Sequence, residues 1–299
     1  MKKYRIYQVD SFTRDQFHGN PAGVVPNADG LSEDMMQRIA REMNNSETAF
    51  VFTSDSPDYD VEVRFFTPSM EVPICGHATI AAHYVLAREK QLGNVRVVQK
   101  TKAGILPVDI TREGDDYSIT MTQGAFSISD PLDEAVVCRI AGALGLSRSD
   151  LRGDCPVCIA STGHSKVMVP IYSNEKLHAL SPDLGALKAI SADIGCNGYY
   201  IFTLNPGEEI LVHGRMFAPN AGIPEDPVTG NANGPLGGYL VHCGLFQTNE
   251  ESFTFKIMQG EAIRRDGVMT VHVEKEGGRA KLIQITGEAV VAFSAELAL

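Results

Sequence analysis

Arg64-Phe65-Phe66-Thr67-Pro68 leads through Pro73 to Cys75-Gly76-His77-Ala78 and a run of small apolar residues. Arg215-Met216-Phe217-Ala218-Pro219 leads through Pro224 to Thr229-Gly230-Asn231-Ala232 and a similar run. The phenylalanine and the second proline are equally spaced in both copies, 66 to 73 and 217 to 224. Each copy reads as a strand, a turn, and a glycine that opens a helix. Helix N-termini carry unpaired N–H groups and partial positive charge, so two such starts facing one another would hold something small and anionic.

Three further matches extend the repeat. Gly19 matches Gly163 at an offset of 144, and Glu47–Thr53 matches Asn197–Thr203 at 150. The offset is 151 for Phe66 and Phe217, 154 for Gly76 and Gly230, and 164 for Tyr117–Met121 against Lys281–Ile285. Because it only grows, the matches keep one order with modest insertions, as an old internal duplication would. The period is far too long for a solenoid, so the chain reads as two related domains.

Composition narrows the class. A chain of 299 residues with 43% hydrophobic content can bury a substantial core. Its net charge of −11, without a basic cluster, argues against nucleic acid as a partner. No window approaches the roughly 20 apolar residues of a membrane-spanning helix, so no membrane partner is expected. Lys2 and Lys3 are followed by Tyr-Arg-Ile-Tyr-Gln-Val-Asp where a signal peptide needs an unbroken apolar stretch. Six cysteines without a secretion signal fit free thiols in a reducing cytoplasm.

Periodicity gives the elements. Tyr4–Asp10 alternates as a half-buried strand does. Ser32 is placed to cap a helix with Met35, Met36, Ile39, Ala40 and Met43 on one face, and Glu33 and Asp34 in its first turn suit the helix dipole. Strands are expected at 48–53, 61–67, 95–100, 105–111 and 117–122. Asp130-Pro131 and Ser181-Pro182 each place a capping residue before a proline, which predicts helices over 131–144 and 182–194. Val268–Glu274 and Leu282–Thr286 form a hairpin through Gly277-Gly278. Gly76–Ala87 and Gly230–Val241 are apolar all round and therefore buried, each inside its own curved sheet. The fold class is α+β, with two pseudo-symmetric domains, each a mixed barrel-like sheet round a central helix.

Several residues have the chemistry for a site. Glu47 stands between a helix and a strand; a loop acid is most often a solvated charge, but its repeat partner is the neutral Asn197, so the framework does not require a carboxylate there. Asp226 precedes a proline, which ordinary turn chemistry explains, yet beside a helix start it can orient a substrate group or relay a proton. His77 can donate to a substrate or act as general acid. Cys75 is the rival: a thiolate is stabilised at a helix N-terminus, while the plain alternative is a small buried hydrophobe. Gly76 and Gly230, with Asn231, would offer N–H groups to a carboxylate. Cys155-Pro156-Val157-Cys158 is isolated from any thioredoxin-like order, and His164 and Lys166 fit a cleft lining or a surface turn equally well. The chain has no phosphate loop, GxGxxG or HExxH, so no nucleotide or metal cofactor is expected.

Gly19-Asn20-Pro21-Ala22-Gly23-Val24, Ser46-Glu47-Thr48-Ala49-Phe50, Phe66-Thr67-Pro68, Cys75-Gly76-His77-Ala78-Thr79 and Glu225-Asp226-Pro227-Val228-Thr229-Gly230-Asn231-Ala232 together resemble the phenazine-biosynthesis-like (PhzF-like) isomerases. That family is similar to diaminopimelate epimerase, with two similar domains and an active site in the cleft between them. The resemblance implies a first domain of 1–124 to which 287–299 returns, a second of 125–286, and a homodimer. It makes Glu47 the acid/base of a cofactor-independent isomerase that moves a proton on a small anionic, cyclic or amino-acid-like substrate, with Asp226 and His77 beside it. Gly76, Gly230, Asn231, Cys75 and Asn20 fall at substrate-lining positions. Diaminopimelate epimerase uses two cysteines, each before a helix-opening glycine; here the second position is Thr229, so a two-thiol racemase is not intact. Two alternatives stay open at this point, a Cys75-dependent racemase or hydrolase and a non-catalytic small-acid binding protein.

Overall fold

The alternation of Tyr4–Asp10 becomes β1 (Lys3–Ser11), whose side chains alternate between solvent and core over its first half. The computed structural model describes residues 2–245 and 250–299. The chain divides into two compact units, Met1–Thr122 with Thr286–Leu299, and Gln123–Ile285.

In the first unit, β1 is antiparallel to β2 (Asn20–Val25). The Ser32 hydroxyl accepts from the Met35 N–H at 3.2 Å and so starts α1 (Glu33–Met43), which Asn44 ends in the left-handed conformation. β3 (Thr48–Thr53) runs parallel to β2 and antiparallel to β4 (Val61–Phe66). β5 (Glu71–Val72) folds back on β4 and hands the chain to α2 (Gly76–Lys90). β6 (Val95–Thr101) lies parallel to β4, and β7 (Gly104–Glu113) and β8 (Asp116–Thr122) follow antiparallel. The chain's last strand, Arg279–Ala298, pairs with β8 and antiparallel with β1. Thus β1–β2–β3–β4–β6–β7–β8–last strand closes a barrel with no free edge. Every α2 residue from His77 to Ala87 is buried, against β1, β2, β3, β7 and β8. The helix is apolar all round because the barrel surrounds it.

The second unit has β9 (Ser127–Ile128), α3 (Glu134–Ala143), β10 (Cys158–Ser161), β11 (Lys166–Pro170), α4 (Asn174–Ala179), α5 (Leu184–Ile194), β12 (Tyr199–Leu204), β13 (Ile210–Ala218), β14 (Ile223–Asp226), α6 (Gly230–His242), β15 (Ser252–Gln259), β16 (Gly267–Glu276) and the opening stretch, 279–285, of the last strand, β17 (Arg279–Ala298). β10 is antiparallel to β9 and β11, β11 parallel to β12, and β12 antiparallel to β13. β13 is antiparallel to β14 and parallel to β15, which is antiparallel to β16. α6 lies against β9, β10, β11 and β16, and Ala232–Leu240 are all buried. A second core gathers Ile140, Leu177, Leu187, Tyr199 and Phe217 between α3, α4, α5 and the sheet. The class is α+β as expected, with a mixed sheet wrapped on a buried helix in each unit.

Local details depart from the sequence reading. α3 starts at Glu134 with Asp133 at its cap, not at Asp130-Pro131. α5 starts at Leu184, because the Asp183 carboxylate accepts the Ala186 N–H at 2.9 Å, which Ser181 does not do. α4 was not foreseen; at six residues it is too short to show a periodicity. Among the described residues no helix is long and apolar enough to cross a membrane.

Each β-turn unit is held by a bidentate arginine. Arg64 Nε and Nη2 meet Glu71 at 2.8 and 2.6 Å, and the guanidinium lies 5.2 Å from the Phe66 ring centroid. Arg215 Nε and Nη2 meet Glu225 at 2.9 and 2.7 Å, 5.0 Å from the Phe217 ring. Burial pushes the Glu71 pKa up, but Arg64 and Lys102 outweigh it and hold the carboxyl below its ordinary 4.5. A group depressed on folding stabilises above its unfolded pKa, and that contribution is lost as pH falls through the folded value. The stability gap between the protein and Glu71→Gln should therefore be constant from pH 7 to the ordinary carboxylate range and shrink below it. Urea midpoints across pH 7 to 3 would read this, and a gap unchanged at the acid end would refute it.

Candidate active site

The first unit assembles its candidates round the start of α2. Cys75 is the residue before the helix, in an extended conformation (φ −144°, ψ 124°), and its side chain does not cap the N-terminus. Gly76 opens the helix and His77 follows, buried, with its carbonyl accepting from the Ser11 hydroxyl at 2.8 Å. That hydroxyl fixes the first turn, and Ser11 lies directly opposite Asn20 where β2 begins. Glu47 enters from the start of β3. Its carbonyl accepts the Gly23 N–H at 3.2 Å, and its side chain is 17% exposed. Gly23 is needed here: a Cβ would sit 2.6 Å from Thr48 Oγ1 and force β2 from β3.

The imidazole of His77 joins the set. Its Nε2 has Ser46 Oγ at 3.2 Å and Glu47 Oε2 at 3.4 Å, and its Nδ1 has Cys75 Sγ at 3.4 Å. An ionised carboxylate only accepts, so the proton facing Glu47 sits on Nε2. In the neutral imidazole that leaves Nδ1 as acceptor for the Cys75 S–H.

The second unit assembles a different set at the start of α6. Asp226, 8% exposed, accepts a hydrogen bond on Oδ2 from the Thr229 hydroxyl. Gln259, wholly buried at the end of β15, locks the turn. Its Nε2 donates to the Asp226 carbonyl at 2.8 Å and to Thr229 Oγ1 at 3.1 Å; its Oε1 accepts from the Thr229 N–H and from Asn233 Nδ2, each at 3.1 Å. Tyr200 OH completes the network on Asn233 Oδ1. Gly230 and Asn231 open α6, Asn231 only partly buried. Gln259, Asn233 and Tyr200 had no motif to announce them; the one signal was polar residues inside apolar runs.

Lys166 is no surface residue: it is 4% exposed in β11. Burial lowers its pKa, against the opposing pull of Cys196 and Asp226. Burial also raises Cys155 to about 11 and Cys158 to about 12, so neither is a thiolate near neutral pH. The redox-like spacing is a pair of inert buried thiols.

Two positions move by comparison with the sequence reading. Thr48 pairs with Phe66 and Tyr199 with Phe217, so the residue standing where Glu47 stands is Gly198, one beyond Asn197. The Glu47 carbonyl accepts the Gly23 N–H as the Gly198 carbonyl accepts the Val167 N–H. Likewise Glu71-Val72-Pro73 corresponds to Glu225-Asp226-Pro227, because both glutamates bind the arginine of the preceding strand; Pro224 lies inside β14 and is not the partner of Pro73.

The fold of this chain is shared with a hydroxyproline epimerase of Agrobacterium vitis, at a TM-score of 0.66 and 11% identity over 99% of this chain and 91% of that one. The model for phenazine biosynthesis-like proteins matches residues 9–295. An uncharacterized isomerase of Clostridium acetobutylicum is 53% identical over 100% of this chain and 99% of its own. The uncharacterized isomerase YddE of Escherichia coli K12 is 48% identical over 99% of each. The crystal structure of the Bacillus anthracis phenazine biosynthesis protein of the PhzF family superposes with a TM-score of 0.90, at 32% identity over 100% of both chains. The chain belongs to the phenazine biosynthesis-like (PhzF) family, and it is an isomerase.

Proposed function

We propose that this isomerase needs no cofactor and moves a proton on a small carboxylate-bearing substrate, with Glu47 as the acid/base. The observation that carries the reading is the Glu47 carboxylate, largely withdrawn from solvent and 3.4 Å from His77 Nε2 at the start of a buried helix. Glu47 takes a proton from carbon and returns one elsewhere on the same face, while N–H groups of the helix start stabilise the enolate-like charge. Asp226, fixed by Thr229 and Gln259, serves as a second carboxylate that orients a substrate ammonium or hydroxyl. Asn20, Gly76, Gly230 and Asn231 bind substrate, and His77 donates to it.

The two halves descend from one duplicated unit. Support comes from their pairings: parallel, antiparallel, antiparallel, parallel and antiparallel successively over β2–β7 and over β11–β16. On that alignment Glu47 faces Gly198, Cys75 faces Thr229 and Asp226 faces Val72, so each carboxylate is unmatched. A one-sided proton shuttle fits this better than symmetric two-thiol chemistry. The domains run 1–124 with 287–299, and 125–286; a homodimer follows from the family resemblance, and a reducing cytoplasm suits the cysteines as free thiols.

Solvent isotope exchange tests the assignment. Cyclic acids and amino acids incubated in D2O should take up deuterium with the wild-type protein and not with Glu47→Gln, which still binds them. Full exchange in that variant ends the assignment. A second reading rests on the 3.4 Å approach of Cys75 Sγ to His77 Nδ1, a thiol–imidazole pair able to run one-thiol racemase or hydrolase chemistry.

A further inference from the structure

Away from Glu47 and Asp226, three donors from three separate elements converge in the second unit. His178 lies near the end of α4, His213 in β13, and Glu261 in the short turn Glu261–Ile263 after β15. Both imidazoles address one oxygen: Glu261 Oε2 is 3.1 Å from His178 Nε2 and 2.7 Å from His213 Nδ1. One ligand atom from each of the three lies within 4.8 Å of those from the other two. The rings do not stack; their planes stand at 69° with centroids 6.3 Å apart, so the nitrogens point inward from different directions.

We propose that His178, His213 and Glu261 form a binding site for one zinc-class divalent transition-metal ion. A tetrahedral ion about 2.0–2.2 Å from nitrogen and carboxylate oxygen sets its ligands about 3.3 Å apart. The observed nitrogen–oxygen separations of 3.1 and 2.7 Å are shorter than such an edge, so metal can replace the hydrogen-bond protons if the His213 and Glu261 side chains part by about half an ångström. Two imidazoles and one carboxylate form a donor set for Zn2+, Co2+ or Ni2+; Mg2+ and Ca2+ prefer oxygen alone. The His178 side chain is 39% exposed, Glu261 27% and His213 14%, so the ion has a path from solvent and a fourth position open to water.

The backbone holds the three in place without metal. His213 is in a strand paired on both sides, to β12 and β15. Ser173 caps the start of α4, and Arg215 Nη1 binds the carbonyls of Leu177, His178 and Leu180 at its end. Gly260, at φ 93°, turns the chain into Glu261, where a Cβ would meet the Arg265 carbonyl oxygen at 2.3 Å. A bound ion would tie α4 and the Glu261 turn to β13, the strand against which Asp226 pairs at Met216. Its role is to stiffen that frame.

The test uses the full chain, stripped with chelator and titrated with Zn2+ by calorimetry, with melting temperature as second readout. Glu47, Cys75 and His77 are another set with ligand chemistry, so Cys75→Ala is the control. The expected result is uptake of one ion and a raised melting temperature, kept in Cys75→Ala and weakened by about tenfold or more in Glu261→Gln and His213→Ala. If the half-buried His213 variant fails to fold, His178→Gln, on the exposed flank, should show the same weakening. No uptake by the wild-type chain overturns the proposal, as does uptake lost in Cys75→Ala and kept in Glu261→Gln.

Discussion

Glu47→Gln is expected to lower turnover by about 10²–10⁴-fold, the range a positioned general base supplies, while Cys75→Ala lowers it by no more than about tenfold. The argument rests on how His77 is shared. Its Nε2 faces Ser46 Oγ and Glu47 Oε2, and its Nδ1 faces Cys75 Sγ. For Cys75 to be the base, its proton must pass to Nδ1, and the resulting imidazolium would be held between a thiolate and a carboxylate. For Glu47 to be the base no prior transfer is needed, since a carboxylate takes the proton directly. Gln at 47 keeps the shape and the contact with His77 but cannot take a proton, so substrate affinity should change little. The measurement is kcat and KM of both variants on whichever acid shows deuterium uptake, with thiol alkylation by iodoacetamide run in parallel. Rapid alkylation near pH 7 with full loss of activity, and an active Glu47→Gln, would transfer the role to Cys75.

Much of this site was legible before the fold, and the reasons are local. The start of α2 carries Cys75, Gly76 and His77 in consecutive positions, so sequence alone puts them together, and the run of small apolar residues after them announces a buried helix. Glu47 was legible for its place before a β-rich run, but its contact with His77 depends on the close approach of β2 and β3 at Gly23. The pairing of Glu47 with Asn197 was one residue off because low-identity matching cannot see strand register; only the pairing of Tyr199 with Phe217 sets it. Gly198 has no room for a side chain, since a Cβ would lie 2.8 Å from the Phe217 carbonyl oxygen and 3.3 Å from Lys166 Cδ. Gln259 stayed hidden because its role is to satisfy backbone and side-chain groups around Asp226 from 33 residues away. The His178–His213–Glu261 set was out of reach for the same reason: its members lie 83 and 48 residues from Glu261, joined only by tertiary packing.

Arg215→Ala should destabilise the Gln123–Ile285 unit by about 3–5 kcal/mol, the cost of leaving a buried charge without its partner. The Arg215 and Glu225 side chains are only 7% and 11% exposed, so water cannot replace the lost hydrogen bonds. The substitution also strips the cap from α4, freeing the carbonyls of Leu177 and Leu180 that Nη1 holds at 3.0 and 2.8 Å. It removes the cation above the Phe217 ring as well. Arg64→Ala makes the internal comparison. Arg64 is 21% exposed and Glu71 keeps Lys102 as a second cation, so the loss there should be clearly smaller. Urea unfolding of both variants reads the difference, and equal losses would mean that burial does not set the strength of these pairs. The double variant Arg215→Met with Glu225→Leu removes both charges and keeps apolar volume, so it should recover much of the stability if uncompensated charge is the cause. If the double variant is as unstable as Arg215→Ala, the orphaned carbonyls of α4 carry the cost instead. That outcome would put the stability of α4, and of the His178 it carries, on one guanidinium.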